Sequence, residues 1–314
     1  MALVFNREFD PRYGEAVEVA PGVRRLTASN ASPFTFHGTN TFLIGTRELA
    51  VIDPGPADEA HIETLLRAIG GAKIARILVT HTHRDHSPGA RLLKARTGAP
   101  ILAAGRPRTA RAPHPGEEAL LDATGDLEFV PDVALADGAV IEGDDYRLEA
   151  LVTPGHTADH LAFALPSEGI VLSGDHVMGW STTVVAPPDG SMADYLASLD
   201  RLLARTERRY LPAHGGEVAD GPEYARALQA HRRMREAAIL ERLRRGDRTV
   251  KELVAQVYAG LDPRLAPAAA LSTLAHLEHL VERGVAVADG PQTLGARYWP
   301  VEMIPDAVDA PGSS

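Results

Sequence analysis

The chain of 314 residues contains no cysteine, and this absence excludes two kinds of structure. Without cysteine no disulfide framework forms, so the chain does not belong to the small secreted domains that disulfides hold together. Without a thiolate ligand, any transition-metal site in the chain must be built from histidine and carboxylate side chains.

A charged leader and long apolar runs are also missing. The first residues, "MALVFNREFDPRYGEAVEV", contain no basic start followed by an apolar stretch. No apolar run approaches the roughly 20 residues that a membrane span requires. The sequence therefore predicts a cytoplasmic protein without a membrane segment, long enough for one large domain and a smaller one or for two of medium size.

Histidine, in contrast, is concentrated in one short stretch. "THTHRDHSPGA", residues 80–90, places three histidines and an aspartate within six positions, directly after the apolar run "IARILV". A random H-x-H-x-D-H would occur in about one such chain in a thousand. Neutral imidazole and carboxylate are the ligands that zinc and its first-row neighbours accept here, and alternate residues of an extended segment point to the same side. This stretch therefore predicts a metal site.

Three further segments provide a histidine or an aspartate in a matching position. His156 follows the strand-like run "LEALV", Asp175 ends the run "GIVLSGD", and His214 follows "RRYLPA". In layered α/β folds the carboxyl ends of the strands form the edge where ligands gather. These residues are therefore expected to lie near the histidine stretch.

Together with "VIDPG" at 51–55, these segments resemble the metallo-β-lactamase-fold hydrolases over roughly residues 20–220. The resemblance implies an α/β fold, an αββα sandwich. It implies a dinuclear metal site whose ligands are His81, His83 and His156 for one metal, Asp85, His86 and His214 for the other, and Asp175 as the bridge. Catalytic roles are implied for Asp85 and Asp175. Asp53 resembles the carboxylate that holds the histidine loop by hydrogen bonds, and it also suits a turn before Pro54.

Within this fold, "GTNTFLIG" at 38–45 and the stretch at 174–199 resemble the lactamase-β-like protein two group. Members of that group are described as hydrolases, some as single-strand endoribonucleases and some as thioesterases. Our leading expectation is hydrolysis of a thioester, ester or lactone by a metal-bridging hydroxide. The alternative is a single-strand-specific endoribonuclease. A non-enzymatic binding protein on a decayed scaffold is disfavoured because the implied ligand set is complete.

The resemblance implies two zinc ions, with iron or manganese as alternatives. Two cations held roughly 3.5 to 4 Å apart bind a hydroxide between them and polarise the substrate oxygen. A small-molecule substrate is the expected partner, and RNA is the alternative. Candidate substrate contacts, chosen by position alone, are His37, Trp180, Ser181, Thr182 and Tyr195.

The pattern changes near residue 222, which predicts a catalytic domain over 1–222 and a winged-helix-like domain over 223–314. A long helix at 223–245, a second at about 265–283 and the ribbon-like "GVAVADG" support the latter. Such a domain binds nucleic acid, substrate or a second subunit, so the oligomeric state, including a homodimer, stays open. Residues 1–222 carry 20 basic and 30 acidic residues, against 12 of each in 223–314, which does not favour capture of a polyanion.

Overall fold

The computed structural model describes residues 3–117 and 124–303. The first of its sheets has seven strands, which lie side by side in chain order. The strands are β1 (Val17–Ala20), β2 (Val23–Thr27), β3 (Asn40–Ile44), β4 (Glu48–Ile52), β5 (Lys73–Leu78), β6 (Ile101–Ala103) and β7 (Val133–Ala134). The pairs from β1 to β4 are antiparallel, and those from β4 to β7 are parallel.

Two helices, α1 (Glu59–Ile69) and α2 (Pro88–Thr97), cover one face of this sheet. The alternation of side chains along β3 shows how the sheet is buried on both faces. Leu43 packs with the residues of α1 and α2, whereas Phe42 and Ile44 pack into the central core. Strands buried on both faces are continuously apolar, as β3 and β4 largely are.

The second sheet has five strands in the order β12, β11, β10, β9, β8. They are β8 (Val140–Glu142), β9 (Arg147–Val152), β10 (Leu161–Leu165), β11 (Ile170–Gly174) and β12 (Arg209–Pro212). Its outer face is covered by α3 (Met192–Leu203) and by the first half of α4 (Gly221–Arg244).

The inner faces of the two sheets meet in one apolar core, in which Phe42 and Ile52 of the first sheet join Phe163 and Leu172 of the second. Helices on both outer faces complete four layers in the order helix, sheet, sheet, helix. The αββα architecture expected from the sequence is therefore confirmed.

Main-chain hydrogen bonds join the two sheets at one edge. The Leu161 N–H donates to the Thr80 carbonyl over 2.7 Å, and the Asn40 N–H donates to the Ala213 carbonyl over 2.7 Å. Thr80 precedes His81, and Ala213 precedes His214. The edge at which the sheets are joined is therefore the edge that carries the histidines.

The helices and strands after α4 include α5 (Val250–Val257), α6 (Ala266–Glu282), and the antiparallel pair β13 (Ala286–Ala288) and β14 (Tyr298–Pro300). With the second half of α4 they enclose a separate apolar core that contains Ile239 and Leu243. The first half of α4 instead packs on the second sheet through Ala225 and Leu228. One continuous helix thus serves both cores, and the domain boundary between residues 222 and 223 stays a prediction.

None of the helices in the described part of the chain combines the length and the apolarity that crossing a membrane requires.

Candidate metal centre

Three histidines from two segments converge at the end of β5. The Nδ1 atom of His83 lies 3.1 Å from Nε2 of His81 and 3.1 Å from Nε2 of His156. His81 and His83 come from the loop after β5, and His156 comes from the loop after β9. The first implied ligand set is therefore brought together.

The second implied set also converges. The Asp85 Oδ2 atom lies 3.1 Å from Nε2 of His86 and 3.2 Å from Nε2 of His214. His214 follows β12, so this cluster joins the first sheet to the second.

Asp175, directly after β11, lies between the two clusters. Its Oδ2 atom is 3.6 Å from Nε2 of His156 and 3.7 Å from Nε2 of His86. Its Oδ1 atom is 3.4 Å from Nε2 of His214. One carboxylate therefore contacts members of both ligand sets, which is the geometry a bridging ligand requires.

The ring nitrogens that face away from the clusters are held by hydrogen-bond acceptors. His156 Nδ1 donates to the Val184 carbonyl over 2.6 Å, and His214 Nδ1 donates to the Gly38 carbonyl over 3.1 Å. His83 Nε2 lies 3.1 Å from the carboxylate of Asp189. Because carbonyl and carboxylate oxygens only accept, each of these nitrogens carries a proton, and the other nitrogen of each ring is directed toward the cluster.

Asp53 organises the histidine loop from beneath. Its carboxylate accepts from the Thr80 N–H (2.8 Å), from the Thr80 hydroxyl (2.7 Å) and from His86 Nδ1 (3.0 Å). Since the Thr80 hydroxyl proton goes to Asp53, its oxygen accepts from His81 Nδ1, 3.0 Å away. Asp53 is buried and has a φ of 49°, so a left-handed backbone is retained at this residue. It contacts the implied ligand His86 directly and His81 through the Thr80 hydroxyl, without joining either cluster.

These residues fit first-row metal ions. In the described part of the chain, His86 Nε2 and Asp175 Oδ1 are buried and form no hydrogen bond of suitable geometry, although Asp85 Oδ2 lies 3.1 Å from the first and His214 Nε2 3.4 Å from the second. Buried polar atoms are nearly always satisfied, and metal coordination satisfies an imidazole nitrogen beside carboxylates. All donors are nitrogen or oxygen, which suits zinc, iron or manganese. Within three groups the donor atoms lie within 4.8 Å of one another: His81, His83 and His156; His81, His86 and Asp175; Asp85, His86 and His214.

The electrostatics of the cluster favour bound cations. Burial opposes charge on His214, but Asp175 and Asp85 outweigh it and raise the pKa of His214 to about 10. Burial likewise opposes charge on Asp85, but His86 and His214 hold the pKa of that carboxyl well below its usual range. The carboxylates therefore retain a positive charge beside them, and metal binding at His214 would displace a proton.

Two further histidines lie beside the clusters without entering them. His160 Nε2 accepts from the Asp175 N–H over 3.1 Å, and its Nδ1 lies 2.9 Å from the Thr153 hydroxyl. Gly174 has a φ of 52°, and a Cβ atom there would lie 2.5 Å from His160 Nε2, so only glycine allows this approach. His176 is buried against the ring of Tyr195, with centroids 4.6 Å apart. Both support the loop that carries Asp175.

A cavity of about 540 Å³ opens above the clusters. Its floor consists of five implied ligands: His83, Asp85, His156, Asp175 and His214. Its walls are largely apolar and include Phe34, Met178 and Val184. Thr124, from the segment between β6 and β7, also lines it.

The structure places the candidate substrate contacts in different environments. The expectation for Tyr195 is wrong, because its side chain is fully buried and its hydroxyl donates to the His176 carbonyl. Trp180 stacks on Phe36 with ring centroids 4.8 Å apart, and the His37 ring packs edge-on against Phe36 with centroids 4.2 Å apart.

As described, the cavity lining does not include His37, Trp180, Ser181 or Thr182, which stay predictions as substrate contacts. The sequence interpretation missed Asp189, Val184 and Gly38, which hold ligand histidines, and Pro267, Ala268 and Leu271 of α6, which line the cavity. The sequence does not reveal these roles, because each residue acts through a contact with a distant segment.

Residues 34–214 match the metallo-beta-lactamase superfamily. The chain belongs to that superfamily. Residues 249–295 of this superfamily member match the beta-lactamase associated winged helix domain, which confirms the expected carboxyl-terminal module. The hydrolase class expected from the sequence is confirmed with the superfamily.

Curated relatives support the assignment along most of the chain. The lactamase-like protein adaB of Aspergillus niger is 29% identical over 80% of this chain and 77% of its own length. An atrochrysone carboxyl ACP thioesterase of Claviceps purpurea is 28% identical over 79% of this chain and 76% of its own.

Solved structures support the same family assignment. A metallo-beta-lactamase family protein from Thermus thermophilus superimposes with a TM-score of 0.73 at 28% identity, covering 90% of this chain and 100% of that one. A beta-lactamase domain protein from Burkholderia ambifaria gives a TM-score of 0.77 at 25% identity, covering 93% and 95%. Both matches extend beyond the four layers of the αββα sandwich, called the catalytic layers below, into the winged-helix domain.

Proposed function

We propose that this protein hydrolyses an acyl thioester, ester or lactone at a dinuclear metal centre, with zinc as the first candidate metal and iron or manganese as alternatives. The observation that carries the proposal is the pair of nitrogen and oxygen ligand clusters that share Asp175. The proposed ligands are His81, His83 and His156 in one set, Asp85, His86 and His214 in the other, and Asp175 in both.

Two cations held there would supply an activated water and a Lewis acid for the substrate oxygen. The chain itself positions the groups around the reacting atoms. The Asp85 carboxylate lines the cavity and is 27% exposed, whereas that of Asp175 is 10% exposed and enclosed by imidazoles. We therefore assign proton transfer at the attacking water to Asp85, and orientation of the centre to Asp175.

The cavity supports an acyl substrate better than a polynucleotide. The side chains above the metal ligands are mainly apolar, whereas nucleic-acid channels place cations along the phosphate path. One guanidinium, Arg84, is among the lining residues described, and Asp85 and Asp189 line the same cavity. Relatives described as carboxyl ACP thioesterases support the same substrate class.

RNA cleavage is the second candidate, and the winged-helix domain is the observation that favours it. Winged helices occur both in nucleic-acid readers and as plain packing units, so the fold alone does not decide between them. Substrate turnover decides.

The test is a panel of thioester, lactone, β-lactam, phosphodiester and single-stranded RNA substrates, assayed with metal-loaded protein. We expect turnover of a thioester or lactone by the parent, loss of turnover and of both metals in Asp175→Ala, and neither loss in the control His231→Ala on α4. Two metals per chain by elemental analysis are expected in the parent. Cleavage of RNA alone, or full metal content in Asp175→Ala, would contradict the proposal.

A further inference from the structure

The cavity above the metal ligands is completed by the winged-helix domain. Pro267, Ala268 and Leu271, all from the start of α6, line the same cavity as the ligands Asp85 and His214. The catalytic layers therefore provide the floor and part of the walls, and α6 provides a wall of its own.

The three side chains form one small apolar surface. Pro267 and Leu271 are four positions apart and Ala268 and Leu271 are three apart, so they share one face of the first turns of α6. Pro267 is exposed, and Ala268 and Leu271 are partly exposed. When a ligand covers apolar groups that line a cavity and remain partly accessible to water, the burial of their surface stabilises the complex.

Other contacts hold α6 in this position. Ala275 belongs to the core that the second sheet forms with α3. Glu278 pairs with Arg111 of the catalytic layers over 2.7 Å, and both side chains are largely buried. Apolar packing and an ion pair thus hold α6 against the catalytic layers. Its cavity-facing surface therefore keeps a fixed position, as a surface that selects substrates requires.

We propose that this surface of α6, Pro267, Ala268 and Leu271, binds the apolar acyl group of the substrate and so sets its acyl-chain specificity. The inference rests on the proposed function. The acyl group is assigned to this wall because it is the apolar half of a biological thioester, whereas thiol carriers bear amide and charged groups. On this assignment the winged-helix domain serves substrate recognition by an apolar surface, and the favoured substrates carry a bulky or long acyl group.

The experiment uses the full chain and two matched substitutions in the same domain. Leu271→Asn places an amide in the wall, and Leu294→Asn makes the same change at an exposed leucine outside the cavity lining. Ala268→Leu narrows the cavity instead of changing its polarity. Each variant is assayed with acetyl, hexanoyl and decanoyl thioesters of N-acetylcysteamine, and metal content is measured in each.

We expect Leu271→Asn to raise KM for the decanoyl thioester about tenfold, the effect of uncovering one to two methylene groups. The change for the acetyl thioester is expected to stay within about twofold, because an acetyl group is too short to cover the wall. Ala268→Leu should likewise discriminate against the decanoyl group. Leu294→Asn should change neither substrate, and metal content should stay at the parent level in all variants.

A second readout does not depend on turnover. The amide analogue of the decanoyl thioester, which resists hydrolysis, is titrated into each protein by calorimetry. We expect Leu271→Asn to weaken its binding about tenfold and Leu294→Asn to leave it unchanged.

The experiments distinguish a failure of the proposed hydrolase activity from a failure of the proposed acyl-binding surface. If the parent hydrolyses no thioester, ester or lactone, the proposed function is overturned, and analogue binding alone tests the wall. If Leu271→Asn affects acetyl and decanoyl substrates equally, affects neither, or matches Leu294→Asn in analogue binding, the acyl wall is overturned while the proposed reaction stands.

Discussion

At the scale of single residues, the centre depends on how each imidazole is held. Asp53 receives three hydrogen bonds from Thr80 and His86, and through the Thr80 hydroxyl it also orients His81. One carboxylate therefore orients a ligand of each metal set. Partners of this kind fix the ring orientation and the tautomer of a metal-binding histidine.

We expect Asp53→Asn to lower metal affinity by roughly 10- to 100-fold, the usual effect of removing such a partner. Asparagine also adopts the left-handed backbone of Asp53, where φ is 49°, so the substitution adds little backbone strain. Its main effect is therefore to replace one carboxylate oxygen, a hydrogen-bond acceptor, by an amide nitrogen. Competition with a chelator measures the affinity. The control is Asp58→Asn, at the cap of α1 away from the ligands. Unchanged metal affinity in Asp53→Asn would show that Thr80 and the loop backbone suffice to orient the histidines.

The sequence predicted which side chains converge at the proposed centre better than it predicted the atoms that hold them. His81, His83, Asp85 and His86 form a motif too dense to be accidental. The carbonyls of Val184 and Gly38, in contrast, accept from ligand histidines as main-chain groups, which every residue has. A side-chain pattern therefore contains no signal for them. Tyr195 was misassigned for a related reason, since proximity in sequence to Asp175 does not say which face of a helix is buried.

At the scale of elements, α4 links the winged-helix domain to the proposed metal centre. Its Arg232 is buried, donates to the Thr183 carbonyl, and lies over the ring of Tyr195 at 5.2 Å. The Thr183 hydroxyl donates to the Asp175 carbonyl over 2.6 Å. The next residue, Val184, accepts from His156. Arg232 thus positions the loop that orients two ligands.

We expect Arg232→Met to lower kcat and metal affinity about tenfold, because the loop between Asp175 and Val184 loses its anchor. The free energy of unfolding should change by no more than about 1 kcal/mol, since the lost hydrogen bond is offset by the relief of a buried charge. Arg233→Met, at the exposed neighbouring position of α4, is the control and should change none of these quantities. Equal losses in both variants, or a large loss of stability alone, would exclude a positioning role for Arg232.

The helices and strands themselves were largely predictable, because their apolar periodicity reflects burial. The helix predicted at 223–245 is α4 (Gly221–Arg244), and the one predicted at about 265–283 is α6 (Ala266–Glu282). What the periodicity did not reveal is that the start of α6 lines the cavity above the proposed metal ligands. Proline, alanine and leucine at helical spacing indicate an apolar face but not what that face packs against.

At the scale of the whole molecule, the winged-helix domain and the catalytic layers meet around buried ionisable groups. His276 of α6 is fully buried, and in the described residues its ring nitrogens have no hydrogen-bond partner. Burial lowers its pKa to about 4, opposed by Glu236 and assisted by Arg232 and His279. The folded protein therefore keeps this imidazole neutral in a pH range in which the unfolded chain protonates it.

The sign of the pH dependence follows. As pH falls from about 6.5 to about 4, the unfolded state gains a proton at His276 and the folded state does not, so stability decreases by up to about 3 kcal/mol. His276→Gln removes this contribution, and its stability relative to the parent should rise as pH falls across that range. Urea unfolding at equal metal loading, with His114→Gln as the control, measures the difference. A parallel pH dependence of parent and His276→Gln would show that folding does not lower the pKa of His276.

Charge across the whole molecule also bears on the choice between a small acyl substrate and RNA. The chain has a net charge of −10, and the helix α4 carries a surface stripe of Arg226, Arg233 and Arg244. Two of these arginines face acidic partners, since Arg226 pairs with Glu223 over 3.2 Å and Arg244 pairs with Glu302 over 2.7 Å. Arginines already neutralised in this way offer little to a phosphate backbone.

We therefore expect replacement of all three arginines by glutamine to leave hydrolysis of a small thioester or lactone within about twofold of the parent, because surface ion pairs contribute little. If RNA is the substrate, the same change weakens binding and flattens its salt dependence, because each lost phosphate contact releases about one counterion fewer. RNA affinity of parent and triple variant, measured at several salt concentrations, separates the two. A steep salt dependence in the parent that collapses in the variant would overturn the small-molecule assignment, whereas weak RNA binding with a shallow slope in both proteins supports it.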